Sequence, residues 1–376
     1  MRETAKALRE QGIVARFDVV PHLWPLSLEL ANVQIDSSDG GGPALTARKA
    51  TVHPRFFALM SGKLLIQQID IEAPHARIVL EHGELRNLAI KLPETKEKKS
   101  ASPLHLPFDG FSITDGDVDL TIDDVRVQAH QLDLDVTNED DAERGSSLEI
   151  ALRAGESYVV RRRDADGTRA FDEDAICSLD ARVRLTPDEV SVRRLELHGA
   201  ADLDPGANTT PACRLSADDP RRVELELNHA RMRLPKDGNP PDDASGHVRA
   251  RAPIAIAARF AKTPDLGGWA GIDADVRLAP GMQLPEVNGK VTAGGVRVEQ
   301  FHFADSVDAD IAIANNVIRS PSTTVKLAGG TVHLKGVHVE PLAMTLGASA
   351  DIDSIDFAEL MRALGVADHP HVAWDI

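Results

Sequence analysis

Residues 26–92 read LSLELANVQIDSSDGGGPALTARKATVHPRFFALMSGKLLIQQIDIEAPHARIVLEHGELRNLAIKL, and their spacing decides the fold. Leu26, Leu28 and Leu30 alternate with Ser27 and Glu29. Val33 and Ile35 continue on the opposite parity, which predicts a bulge or turn near Ala31-Asn32. Leu64 and Ile66 come next, then Ile69 and Ile71 after the pair Gln67-Gln68, then Ile78 and Leu80. Period two puts one apolar face and one wet face on each strand.

The same habit extends outward to the end of the chain. Val118/Leu120/Ile122, Val125/Val127 and Leu132/Leu134/Val136 follow in quick succession. Further on come Val183/Leu185, Leu195/Leu197, Val223/Leu225/Leu227, Ile272/Ala274/Val276/Leu278, Ile311/Ile313, Val332/Leu334 and Val337/Val339. Gly40-Gly41-Gly42, Asp115-Gly116, Asp166-Gly167, Pro205-Gly206, Gly294-Gly295 and Gly329-Gly330 read as the turns between them. Strands this close together predict an all-β, antiparallel fold. Two short helices are expected, Arg2–Gln11 and about 354–364, the second with Ser354 as its N-cap. Three segments emerge: 1–92, 108–235, and 246–376 with the second helix near its end. Pro93–Pro107 and Lys236–Ser245 separate them, and Asn138–Ser147 reads as an acidic loop.

Composition narrows the function. Of 376 residues 42% are apolar but only 4% aromatic, which favours thin layers of Val, Leu, Ile and Ala over a thick core. A net charge of −17 repels phosphate backbones, excluding a general nucleic-acid binder and a protein held on anionic lipid by basic patches. Cys177 and Cys213 permit one bridge, whose closed loop would be worth about 4 kcal/mol, or else are two separate buried thiols. Apolar runs are short, and no apolar leader follows Met1. The final Val372–Ile376 reads as a strand with no tail, so the chain is expected to be a piece of a longer protein.

Catalytic constellations are missing from the pattern. No GxSxG, HExxH, Walker A or GxGxxG run occurs. His369-Pro370-His371 lacks converging ligands, and Asp164-Ala165-Asp166-Gly167 lacks the later ligands of a calcium loop. These, with Asp172-Glu173-Asp174, read as turns and solvated acidic loops. Arg161-Arg162-Arg163 reads as a solvated turn balanced by Asp164 and Asp166. No metal, no cofactor and no enzymatic activity are expected.

One stretch carries family information. Ala47, Ala50 and Val52 form a strand, Phe57 and Leu59 a short apolar turn before Gly62, and Leu64, Ile66, Ile69 and Ile71 a strand ending at Pro74. Ile78 and Leu80 lead to a turn holding Gly83 and Asn87. This arrangement, about a fifth of the chain, resembles the membrane-proximal start of the AsmA-like superfamily, TamB-type proteins in particular. Gly62 suits a tight turn, and Pro74 suits the margin of a ladder.

The resemblance implies an elongated, curled, taco-like β-groove with a hydrophobic inner face. It implies a periplasmic protein, anchored in the inner membrane by a segment that is not in this chain, that moves phospholipid toward the outer membrane. The expected lining is Leu28, Leu64, Ile66, Ile69, Ile71, Ile78, Leu80, Val118, Leu120, Ile122, Val276 and Leu278. Its ligands would be acyl chains, since a chain of about sixteen carbons gains on the order of 10 kcal/mol gross from burial. An outer-membrane β-barrel protein is the other implied partner. Two alternatives stand beside this one: a scaffold that chaperones outer-membrane protein assembly and secretion by strand addition, and a plain multi-domain β-sandwich surface protein.

Overall fold

In a computed structural model the described residues are 14–23, 26–62, 65–82, 84–87, 108–123, 125–141, 145–165, 168–203, 212–216, 219–234, 243–256, 266–282, 284–299, 301–340 and 345–363. They are all-β, mostly antiparallel, with few short helices. The chain divides into two compact units, Met1–Cys213 and Arg214–Ile376. The expected helix Arg2–Gln11, Leu64, the segment 93–107 and His369–His371 lie outside the described residues.

The first unit begins as a meander. β1 (Ala15–Leu23), β2 (Leu26–Asp36), β3 (Pro43–Pro54) and β4 (Ile66–Glu81) pair antiparallel in turn, with the helical turn α1 (Phe56–Met60) between the last two. β4 folds back on the two-residue β5 (Glu84–Leu85). The chain then returns as β6 (Gly110–Ile122), which pairs with β4 in parallel, an exception to the expected antiparallel order. β7 (Val125–Asp141) pairs with β6 on one side. On its other side it meets β8 (Gly145–Ala154) and β9 (Ser157–Ala165), which lie end to end. β10 (Thr168–Leu185) covers β8 and β9 together and pairs with β11 (Glu189–Leu203). The acidic stretch from Asn138 is therefore strand rather than loop: β7 runs to Asp141 and β8 starts at Gly145. Arg161-Arg162-Arg163 and Asp164 lie in β9, and Asp172–Asp174 in β10; these ladders replace the turns expected there.

Each long strand of this unit changes parity at one level. Asn32 in β2 (φ 52°), Ala73 in β4 (φ 47°), Asp115 in β6 (φ 55°) and Gln131 in β7 (φ 52°) adopt the left-handed region in mid-strand. The ladders set them level with Arg48 of β3, with the Gly155-Glu156 break between β8 and β9, and with the bulge at Cys177 in β10. A bulge bends its strand and re-aims the side chains beyond it. Asp115-Gly116 belongs to this row and is not a hairpin turn. Cys177 is bonded to Cys213, in the 3-10 turn Ala212–Arg214.

The second unit is a pure meander. β12 (Arg222–Arg233), β13 (Ala244–Pro253), β14 (Leu266–Leu278), β15 (Glu286–Val298), β16 (Phe301–Ala314), β17 (Val317–Leu327), β18 (Gly330–Glu340) and β19 (Thr345–Asp353) each pair antiparallel with the next. Asn315-Asn316, both at positive φ, make a two-residue hairpin turn, as do Ala328-Gly329. Gly294-Gly295, read as a turn from sequence, lies inside β15, where Gly295 (φ 59°) faces the bulge of β14 at Gly268. The helix α2 (Phe357–Ala363) starts later than expected. Asp356, not Ser354, caps it, accepting from the backbone N–H of Ala358 (2.8 Å) and Glu359 (3.1 Å). Ser354 sits at φ 57° just before it.

Neither unit's sheet closes or curls strongly, which corrects the taco-like curl expected from sequence. The reason lies in what touches what. Apart from α2 against β16, every extensive contact between described elements is between hydrogen-bonded neighbours. Among the described residues nothing packs across either sheet to draw its margins together. The small core that exists is mostly alanine, and Leu148 is the only buried large aliphatic side chain among the described residues.

Candidate functional site

The parity change explains how one face stays apolar along strands that are interrupted. A plain alternating strand would send the residues beyond a bulge to the wrong side. Here each strand steps three residues between apolar positions at its bulge: Leu30 to Val33, Ala47 to Ala50, Ile71 to Pro74, Ile113 to Gly116. Directly opposed residues share a face, so the registers turn these positions into rows that run across the strands.

In the first unit one row runs Leu28, Val52, Ile69, Phe111, Val136, Ile150, Val183. The next runs Leu30, Ala50, Ile71, Ile113, Leu134, Leu152, Ala181. Beyond the bulges the rows resume as Ile35–Leu45–Ala76–Val118–Ala129, then Ile78–Leu120–Val127, then Leu80–Ile122–Val125. Ile66 stands opposite Pro54 at the strand end. Of the expected lining, Leu28, Ile69, Ile71, Ile78, Leu80, Val118, Leu120 and Ile122 thus share one face. Leu28 and Ile122 are exposed, and the others are half-buried by lateral neighbours alone.

The second unit repeats the design. Leu225, Ala250, Ile272, Val291, Ala309, Thr323 and Leu334 oppose one another in series across β12 to β18. Val276 belongs to a parallel row with Gly246, Val287, Ile313, Ile318 and Val339, and Leu278 follows it on the same face of β14. The partners Phe111, Leu134, Ile150, Leu152 and Val291 fall outside the expected lining. The signal that finds them is the three-residue step, which marks a change of parity without a change of face.

The opposite face is laced with charge. In the second unit Glu226, Arg249, Asp273 and Lys290 are opposed in register and alternate in sign. Arg249 contacts Asp273 at 2.8 Å and Glu226 at 3.8 Å, and Lys290 reaches Asp308 at 2.8 Å. Arg251 lies over the ring of Trp269, 4.1 Å from its centroid, on this same side. In the first unit Lys49 holds Glu72 (2.8 Å), and Arg126 grips Asp119 with two hydrogen bonds. The hydrogen bond from Lys49 keeps the Glu72 carboxyl below its ordinary range, and that from Arg126 does the same for Asp119.

Beside this face Asn87 is fully buried and ties three segments. Its Oδ1 accepts from the Val79 N–H (2.9 Å), its Nδ2 donates to the Arg77 carbonyl, and its own carbonyl accepts from Ser38 N–H (3.0 Å). Gly62 (φ 77°) ends α1 as its turn requires. Among the described residues no cluster of His, Cys, Asp and Glu could hold a metal ion, and no helix is long and apolar enough to cross a membrane.

Comparison with models of known protein families finds no match, and a search of curated proteins finds no significant similarity.

Proposed function

We propose that this chain is part of an AsmA-like, TamB-type envelope protein whose apolar sheet face holds phospholipid acyl chains in transit between the inner and outer membranes. The observation that carries the reading is the set of register-aligned apolar rows over which, apart from the short contact of α2 with β16, no described element packs extensively. A sandwich would fill such a face with a second sheet. Acyl chains can fill it instead, each buried methylene contributing roughly 0.8 kcal/mol. Rows built mostly from Leu, Ile, Val and Ala, with Thr323 among them, offer few polar contacts that a sliding chain must break. The charged opposite face keeps the carrier wetted. No chemistry is required of the protein, and in this reading it is not an enzyme. The Cys177–Cys213 bond suits an oxidising compartment and so a periplasmic setting.

The test is site-specific photo-crosslinking in cells of the source type. A photo-reactive residue at Ile71, Leu120 or Val276 should capture phospholipid, whereas one at Arg126 or Arg249 on the charged face should not. Absence of lipid adducts at all three apolar positions would sink the proposal.

The second reading is assembly of outer-membrane proteins by strand addition. The observation in its favour is β19, which pairs with β18 alone among the described residues and is exposed along most of its length. A proline at Ser349 would block an added strand and leave the apolar rows intact. Loss of outer-membrane protein assembly with lipid capture unchanged would favour this reading.

A further inference from the structure

The turn α1 joins β3 to β4 and buries none of its residues. Phe57 is 84% and Met60 74% exposed, and Phe56, Leu59 and the adjoining Leu65 are exposed as well. Five of the thirteen exposed large apolar side chains among the described residues therefore fall within positions 56–65. Scattered exposed leucines are ordinary, but a cluster of this kind marks an interaction site.

The cluster is held out, not loosely hung. The Arg55 N–H donates to the Leu65 carbonyl (2.8 Å) and closes the neck. Leu59 N–H bonds the Arg55 carbonyl (3.0 Å), and Ser61 Oγ bonds the Ala58 carbonyl (2.7 Å). The Arg55 guanidinium is clamped on the Asp109 carboxylate at the start of β6, with Nε at 2.9 Å. The Phe56 and Phe57 rings pack edge to face, 5.6 Å between centroids.

The absence of local acidic residues and the small size of the knob together narrow the occupant. The chain has net charge −17, yet residues 40–69 hold four Lys and Arg and no Asp or Glu. Arg48, Lys49 and Arg55 are engaged by Glu72 and Asp109, so this end neither repels nor strongly attracts an anionic surface. A convex one-turn knob is also too small to fill the roughly 800 Å² per partner of a stable protein interface. It does match the headgroup–acyl boundary of a bilayer, where Phe, Leu and Met insert shallowly beside basic residues.

We infer that α1 is a membrane-surface anchor: Phe56, Phe57, Leu59 and Met60 insert into the interfacial layer of a phospholipid bilayer and seat this end of the first sheet against it. The inference does not depend on lipid carriage by the apolar face.

Flotation of the full chain with phosphatidylcholine and with mixed phosphatidylcholine–phosphatidylglycerol vesicles tests it. The parent should float with both. The double substitution Phe57→Ser and Met60→Ser should weaken partitioning by about tenfold or more, from lost apolar insertion. Circular dichroism should be unchanged, since neither side chain is buried. Met282→Ser, an exposed apolar position in the turn between β14 and β15, should leave flotation as it was. In Phe57→Trp, the emission of the new indole should shift blue with vesicles and be quenched by lipids brominated near the headgroup. A parent that does not float, a double variant that floats as well as the parent, or an indole signal in Phe57→Trp indifferent to vesicles would overturn the inference. Flotation lost in Phe57→Ser/Met60→Ser while Leu120 still captures lipid would separate the anchor from the carrier.

Discussion

Residues in the left-handed region decide where the apolar face survives, and they differ in how well they suit it. The conformation costs roughly 1–2 kcal/mol for an ordinary L-residue and least for Gly, Asn and Asp. Asn32 and Asp115 fit that preference, whereas Ala73, at φ 47°, does not. Asn32 also donates from Nδ2 to Asp18 Oδ2 at 3.2 Å, an exposed bond of little consequence. Asn32→Val should therefore lower stability by about 1–2 kcal/mol, while Asn32→Gly should be close to neutral. Ala73→Gly relieves the strain and loses part of the gain to a freer unfolded chain, leaving a net increase of up to ~1 kcal/mol. Urea midpoints for the three variants check this. Equal destabilisation by Val and Gly at position 32 would mean that the bulge is not fixed by backbone conformation.

At the scale of strands and hairpins, the sequence declared most of what the structure contains. Period-two runs gave the strands, the parity change at Ala31-Asn32 placed a bulge where Asn32 has positive φ, and Gly329 took its hairpin position. Asp115-Gly116 and Gly294-Gly295 misled, because a residue suited to positive φ serves a mid-strand bulge as readily as a turn. The parallel pairing of β4 with β6 was illegible, since no local pattern encodes which distant edge a strand joins. The apolar lining was legible strand by strand, but the rows were not, because register is set between strands. Charge pairs act both across strands, as in Lys49–Glu72, Arg126–Asp119 and Lys335–Asp351, and within one segment, as in Arg194–Glu196 and Arg221–Asp219. Glu72, Asp119, Asp219, Glu196 and Asp351 are held below their ordinary range chiefly by hydrogen bonds from Lys49, Arg126, Arg221, Arg194 and Lys335. Asp39 is lowered to about 2, first by the Ser37 hydroxyl and then by the Gly41 N–H. A depressed carboxyl contributes stability above its unfolded value, near pH 4, and loses it as pH falls toward the folded value. Lys49, Lys290 and Lys335 are raised by Glu72, Asp308 and Asp351; their contribution is complete below the ordinary lysine range and is lost as pH climbs through the folded value. The urea midpoint should hold from about pH 5 to about pH 9, then fall on both sides, and only modestly, because these pairs are exposed and solvent screens them. A midpoint unchanged between pH 7 and about pH 3 would show that these pairs do not contribute to folding stability.

For the molecule as a whole, a sheet face without a second layer has a thermodynamic consequence that a packed core would not have. Stability in each unit comes from ladders and lateral contacts, so much apolar surface is still wet in the folded state and can be covered by a ligand. A ligand that binds the folded chain and not the unfolded one adds RT ln(1 + [L]/Kd), about 2.7 kcal/mol at a hundredfold excess over Kd. Monomeric lysophosphatidylcholine below its micelle concentration should therefore raise the thermal midpoint in proportion to the logarithm of its concentration. The shift should grow with acyl length, since each added methylene that finds the rows contributes roughly 0.8 kcal/mol. Headgroup charge should matter little, as the charged side chains are on the other face. Ile71→Asp places a carboxylate in the middle of a row opposed by Ala50 and Ile113. Position 71 is only half-buried in the free protein, so the fold should persist while the lipid-induced shift shrinks, whereas Arg249→Ala on the charged face should leave it intact. A midpoint that ignores acyl length, or a shift equal in Ile71→Asp and Arg249→Ala, would place any lipid elsewhere than on the rows.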